Sequence, residues 1–219
     1  GMTADGDLEM MAPSNRLELQ YQYAEPKKDR PKLAVAILDR SPSMNWQLEA
    51  GKNNTNYVPW GDKSKWHYLL WGWFAMTNDM IESGSADCID NDAILYATDS
   101  ERHGPVTTSN LNSLRRWILE NPPGTEETTN IDIEFIRELC AGEQKLIVTI
   151  SDGAVGNWSD IKKEYLSLIA KHPYAHIQIG PESEMSNDLK AAKRKSSTVT
   201  RGKDIINLMR GISAEVYNT

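Results

Sequence analysis

A chain of 219 residues with a formal net charge of −7 and a pI near 5.2 is too acidic for a nucleic-acid binder, whose phosphate contacts need a basic surface. With 39% hydrophobic and 25% charged residues, it has the composition of one globular domain with a sizeable core, not of a disordered chain. No stretch approaches the roughly 20 apolar residues of a membrane span and the N-terminus is polar and acidic, so a cytoplasmic protein without a membrane partner is expected.

Gly1 ahead of Met2 reads as a cleavage scar, and residues 1–15, rich in Gly, Asp, Ser and Pro, as a flexible lead-in to a single domain over 16–219. Leu17, Leu19, Tyr21 and Tyr23 alternate with polar residues, the pattern of a half-buried edge strand. Lys32 to Leu38 (KLAVAIL) is an unbroken apolar run, as in a central parallel strand covered on both faces, and it ends at Asp39. Residues 45–64 then form a long loop rich in Asn, Gly and Trp, in which Trp46 and Trp60 read as anchors to the core or, less often for a loop Trp, as exposed recognition aromatics.

From Lys65 to Glu82 the residues Trp66, Leu69, Leu70, Trp73, Thr77, Met80 and Ile81 recur at helical spacing and predict an amphipathic helix. Further apolar runs at 92–98, 145–150, 174–179 and, more weakly, 197–200 predict strands. Helices are expected at 109–120, 131–140, 160–171, 184–195 and 204–217. This alternation predicts an α/β domain with a doubly wound, mostly parallel central sheet flanked by helices.

Cys88 and Cys140 lack metal-ligand spacing and read as free, partly buried thiols. Asp90 and Asp92 precede a strand and read as exposed turn residues; His67, His103, His172 and His176 are scattered and read as packing or surface groups. The basic clusters at Lys27 to Lys32 and Lys190 to Lys195 read as solvated surface.

In a doubly wound sheet, ligands bind outside the carboxyl ends of the strands. The first strand ends in Asp39-Arg40-Ser41-Pro42-Ser43, a carboxylate and two hydroxyls at alternating positions, and hard oxygens suit a hard cation such as Mg2+. One loop cannot surround a cation that takes about six ligands, so others must come from neighbouring strand ends. Candidates are Asp152, directly after the apolar run at 145–150, and a threonine in Thr125 to Asn130. An Asp-x-Ser-x-Ser by itself also suits a turn or a helix N-cap, so its place at the end of a buried strand carries the metal reading.

These residues resemble the von Willebrand factor A (VWA) family and its metal-ion-dependent adhesion site (MIDAS): Asp-x-Ser-x-Ser, a distant Thr, then a distant Asp-Gly. Asp39, Ser41 and Ser43 match the first element, and Ser151-Asp152-Gly153 matches the last. In the middle element the family's paired glycines are absent; Thr129 fits best because Thr129-Asn130-Ile131 leads into an apolar helix, with Thr128 a close rival and Thr125 a third choice, and in the first element Pro42 stands where the family usually has Gly.

The resemblance implies a Rossmann-like VWA fold and a metal site of Asp39, Ser41, Ser43, Thr129 and Asp152, holding Mg2+ with Mn2+ or Ca2+ as substitutes. An open position there would accept an Asp or Glu carboxylate from a partner protein. It implies no enzyme but an intracellular, metal-dependent protein-binding module in a multiprotein complex. A second reading is a regulatory or scaffold subunit beside a separately encoded AAA+ ATPase, as in chelatase systems. A third, an Mg2+-dependent phosphoryl-transfer hydrolase, needs a second Asp where Ser41 stands.

Overall fold

The computed structural model describes residues 30–48, 63–82, 89–124 and 128–217. The expected lead-in, the strand at 17–23, Cys88, Thr125 and most of the long loop, Trp60 included, lie outside the described residues.

Six strands among these residues form one sheet in the order β3-β2-β1-β4-β5-β6. They are β1 (Leu33–Asp39), β2 (Asp90–Tyr96), β3 (Ser100–Val106), β4 (Leu146–Ser151), β5 (Tyr174–Ile179) and β6 (Lys195–Val199). All pair in parallel except β3, which lies antiparallel against β2. The helices are α1 (Lys65–Glu82), α2 (Leu111–Glu120), α3 (Ile133–Leu139), α4 (Trp158–Ile169), α5 (Glu184–Ala191) and α6 (Gly202–Tyr217). None of them is long and apolar enough to cross a membrane.

The pleat of β1 explains why its sequence is apolar without alternation, because both faces of the central sheet are covered. Ala34, Ala36 and Leu38 point into a core with Trp66, Leu69, Trp73 and Met76 of α1 and Ile205 and Met209 of α6. Val35 and Ile37 point into a second core with Ile136 of α3, Trp158 and Tyr165 of α4 and Leu189 of α5. Ile81, assigned to the apolar face of α1 by its spacing, is instead 42% exposed, in the last turn of the helix.

One strand carries no signal in the sequence, and one further expectation is corrected. The run Ser100 to Val106 forms a strand although its charges, Gly104 and Pro105 give no apolar pattern; it is held as an edge by pairing to β2. Asp92 is not an exposed turn residue: it lies within β2, is buried, and is paired with Arg102 of β3 at 2.6 Å. The new edge strand brings that guanidinium, and without it a carboxylate there would be stranded. Asp90 is exposed as expected.

From β1 the chain builds outward to β2 and β3, then crosses to β4 and builds the other way to β5 and β6. The strand order therefore reverses between β1 and β4, and their carboxyl ends flank the crevice where such sheets bind ligands.

Candidate metal centre

Asp39 closes β1 at that crevice and is fully buried. Its Oδ1 accepts the backbone N–H of Ser41 at 2.8 Å, and its Oδ2 accepts the hydroxyl of Ser151, the last residue of β4, at 2.7 Å. Register places Ser151 there, because Leu38 and Ile150 are partners in the parallel ladder and each strand ends one residue later.

After Asp39 the chain makes one turn of 3-10 helix, Pro42–Asn45, with Pro42 pre-setting its first residue. Ser41 stands at the N-cap, yet its side chain makes no capping bond. Its Oγ lies instead 3.0 Å from the Ser43 Oγ, so the two hydroxyls are paired with each other and not used up on the backbone. That geometry separates a ligand pair from an ordinary cap.

Asp152 follows β4 in a tight loop. Its Oδ2 accepts from the Lys65 ammonium, at the first turn of α1, at 2.8 Å, with side-chain exposures of 6% for Asp152 and 13% for Lys65. Its Oδ1 is buried with no hydrogen-bond partner among the described residues. Burial and, second, the charge of Asp152 push the Asp39 carboxyl up to about 6, against the lowering pull of its hydrogen bonds from Ser151 and Ser41. Burial and the Asp39 charge likewise hold the Tyr96 phenol on β2 well above its ordinary range.

The Asp152 loop is fixed from behind by Gln178 of β5, whose Nε2 donates to the Asp152 carbonyl at 2.6 Å. The Oε1 of Gln178 accepts from Ser183 Oγ at 2.8 Å and lies 3.3 Å from His176 Nε2. His176 is buried with its Nδ1 unpartnered, and burial holds its pKa down at about 4, below the ordinary 6.5. A buried neutral imidazole stabilises the fold fully above pH 6.5, and that contribution is lost as pH falls from 6.5 toward 4.

His176→Gln is therefore expected to gain on the wild type by about 2 kcal/mol between pH 7.5 and pH 5, read from urea unfolding at both values. Taking the difference between the two proteins cancels the opposite contribution of Asp39. A gap that does not change with pH would show that His176 is not held neutral by the fold.

The structure thus gathers Asp39, Ser41, Ser43 and Asp152 at one switch point. Thr129 sits on the loop beside it, half-buried, its carbonyl accepting Gly156 N at 2.6 Å while the next residue donates to Ala97 O at 2.7 Å. Among the described residues its hydroxyl makes no hydrogen bond to the Asp39 cluster. The rival Thr128 is exposed and pairs its hydroxyl with that of Thr98 at 3.1 Å.

Two contributors, Lys65 and Gln178, escaped sequence reasoning, and Ser151, read from the sequence only as the residue before Asp152, proves to hold Asp39. Ser151 was recoverable from aligning the ends of adjacent parallel strands. Lys65 and Gln178 carry no local signal. Trp46, expected to anchor its loop, is 46% exposed, with Lys65 5.7 Å from its ring centre.

The donor set fits a hard divalent cation. It offers two carboxylates, one of whose buried oxygens has no hydrogen-bond partner among the described residues, and two paired hydroxyls. Among the described residues no three His, Cys, Asp or Glu side chains converge. Neutral hydroxyls in such a set leave a cation with charge to share outward.

No family model matches the chain, and no curated protein matches it in sequence. Solved structures do match it in fold. The PilB minor pilin from Streptococcus sanguinis superimposes with a TM-score of 0.58 at 14% identity, over 88% of this chain and 63% of the pilin. The chain thus spans less than two thirds of that protein's length. A conserved hypothetical protein BatB from Bacteroides thetaiotaomicron gives 0.58 at 13% identity, over 85% of this chain and 99% of that one. A von Willebrand factor type A structure from Catenulispora acidiphila gives 0.62 at 10% identity, over 85% and 43%. At such identities the likeness speaks for architecture alone: the chain has the mostly parallel, Rossmann-type α/β fold of a VWA-like domain.

Proposed function

We propose that this chain is a metal-dependent protein-binding module that acts inside the cell as part of a multiprotein complex. Mg2+ would be held by Asp39, Ser41, Ser43 and Asp152, with Thr129 joining them, and a partner's Asp or Glu carboxylate would complete the shell. The observation that carries this reading is the buried Asp152 Oδ1, which has no hydrogen-bond partner among the described residues while the other three carboxylate oxygens of the pair are engaged. A buried polar atom left unpaired in this way is disfavoured unless a further group, such as a bound ion, satisfies it.

When bound, the cation supplies a Lewis-acidic position for an anionic oxygen. The chain's residues do the rest. Asp39 is held in one orientation by Ser41 and Ser151, the Pro42 turn fixes the two hydroxyls, and Gln178 fixes the Asp152 loop. A preorganised set of this kind spends little on ordering when a ligand arrives.

Binding is favoured over phosphoryl transfer because Asp39 is fully buried with both oxygens hydrogen-bonded, a poor state for a nucleophile. The half-buried free thiol of Cys140 suits the reducing cytoplasm expected from the sequence.

The test is a melting curve. Millimolar Mg2+ or Mn2+ is expected to raise the melting temperature by a few degrees over chelator, since a ligand at about 100 times its Kd stabilises the native state by roughly 2.7 kcal/mol. The double substitution Ser41→Ala, Ser43→Ala removes the paired hydroxyls, leaves the Ser41 backbone N–H on Asp39, and is expected to abolish the rise. Superimposable wild-type curves in metal and in chelator would count against the proposal.

A further inference from the structure

The feature the cation reading leaves unabsorbed is Lys65. Its ammonium is mostly buried, 2.8 Å from Asp152 Oδ2, at the start of the helix that follows the hydroxyl loop. A lysine this enclosed is normally kept only with a paired charge. Here the paired charge is one of the two carboxylates that a divalent cation would also need.

We infer that Lys65 is the built-in rival of the divalent cation, an affinity-setting residue whose ammonium holds Asp152 until a metal displaces it. This inference rests on the cation reading proposed above. Asp39 and Asp152 bring two carboxylates together in a buried place, close enough for the Asp152 charge to disfavour ionisation of Asp39. Without a metal, the ammonium offsets one of the two negative charges from within the chain. With a dication at the same carboxylates, ammonium and metal would face each other across a few ångströms of poorly screened space.

One of the two must yield, and the lysine has the means. Its four-carbon stem is flexible, and its neighbour on the outer side is the half-exposed Trp46, whose ring lies 5.7 Å from Nζ and can receive the displaced ammonium. Metal affinity is then the intrinsic affinity of the oxygen set reduced by the strength of the Lys65–Asp152 pair. The same exchange ties loading of the site to the first turn of α1, which is also anchored through Lys65 N to Trp46 O at 3.0 Å.

The experiment titrates Mn2+ into the full chain by calorimetry at 0.15 M salt, for wild type, Lys65→Met, Lys65→Gln and Lys65→Arg. Both uncharged variants are expected to bind Mn2+ about tenfold more tightly than wild type, because the rival charge is gone. Lys65→Arg keeps the charge and is expected to stay within about threefold of wild type. In chelator, the melting temperature of Lys65→Met is expected to fall, since Asp152 then has no partner at either oxygen. A merely structural lysine would give the opposite sign, with its loss loosening the site and weakening Mn2+. Unchanged or weaker binding by both uncharged variants, with wild type binding, overturns the rivalry and leaves the cation reading standing. Mn2+ binding by none of the four overturns both.

Discussion

Gly153→Ala is expected to lower unfolding free energy by about 3 kcal/mol or more and to remove the metal response with it. Gly153 has φ +88, a left-handed conformation that costs an L-residue roughly 1–2 kcal/mol. A Cβ built there would lie 2.3 Å from both Cβ and Oγ of Ser183 and 2.5 Å from Gln178 Oε1. Overpacking of that kind adds about 1–3 kcal/mol.

Neither neighbour can give way freely. Ser183 caps α5, accepting Ser186 N at 3.1 Å, and donates to Gln178, which in turn holds the Asp152 carbonyl. Moving Ser183 therefore loosens the helix cap and the Asp152 loop together. Gly211→Ala, within α6 where a Cβ meets nothing within 4 Å, is the control; it is expected to raise stability by up to about 1 kcal/mol. Urea unfolding compares the three proteins. A Gly153→Ala midpoint indistinguishable from wild type would mean that the loop tolerates rearrangement and does not pre-set Asp152.

What the sequence reveals follows from how local each feature is. β1, β2, β4 and β5 announce themselves because strands buried on both faces must be apolar throughout, and α1 because a long helix on a core repeats at 3.6 residues. β3 was hidden because its stability is borrowed from pairing with β2 and from the Arg102–Asp92 bond, neither of which leaves a pattern in the run itself. At the crevice the same rule holds. Asp39, Ser41 and Ser43 lie close together in sequence and read as a motif, and Asp152 stands out as an acid at a strand end.

The residues around that motif act at a distance. Ser151 reaches Asp39 only because two parallel strands stop in register, and Lys65 reaches Asp152 only because α1 begins where β4 ends. Thr129 and Thr128 are adjacent in sequence and chemically identical, so no local argument could separate them. What distinguishes them is tertiary: the Thr128 hydroxyl is taken by Thr98 across the neighbouring loop, and that of Thr129 is not.

Asp39→Asn is expected to stabilise the metal-free protein at pH 7.5 by about 2 kcal/mol while abolishing its response to Mg2+ or Mn2+. The folded protein raises the carboxyl from 3.8 to about 6, so keeping it ionised at pH 7.5 costs up to about 3 kcal/mol. The sign follows directly: the stability credited to a raised acid is complete below pH 3.8 and lost as pH rises through 6, leaving the wild type strained at neutrality.

An amide keeps the shape and one acceptor for Ser41 N–H, and its NH2 can donate to Ser151 Oγ. It gives up charge-assisted bonds, which is why the expected gain falls short of the full figure. Unfolding in chelator at pH 7.5 and pH 4 measures the effect, with the variant's advantage present at the first and gone at the second. If Asp39→Asn instead weakened the metal-free protein at pH 7.5, the Ser41 and Ser151 bonds would outweigh the burial cost, and Asp39 would be a structural strand-end cap. A gain in stability joined to loss of the metal response would mark a site strained for the sake of a ligand, since natural domains give up stability where function needs an unbalanced charge.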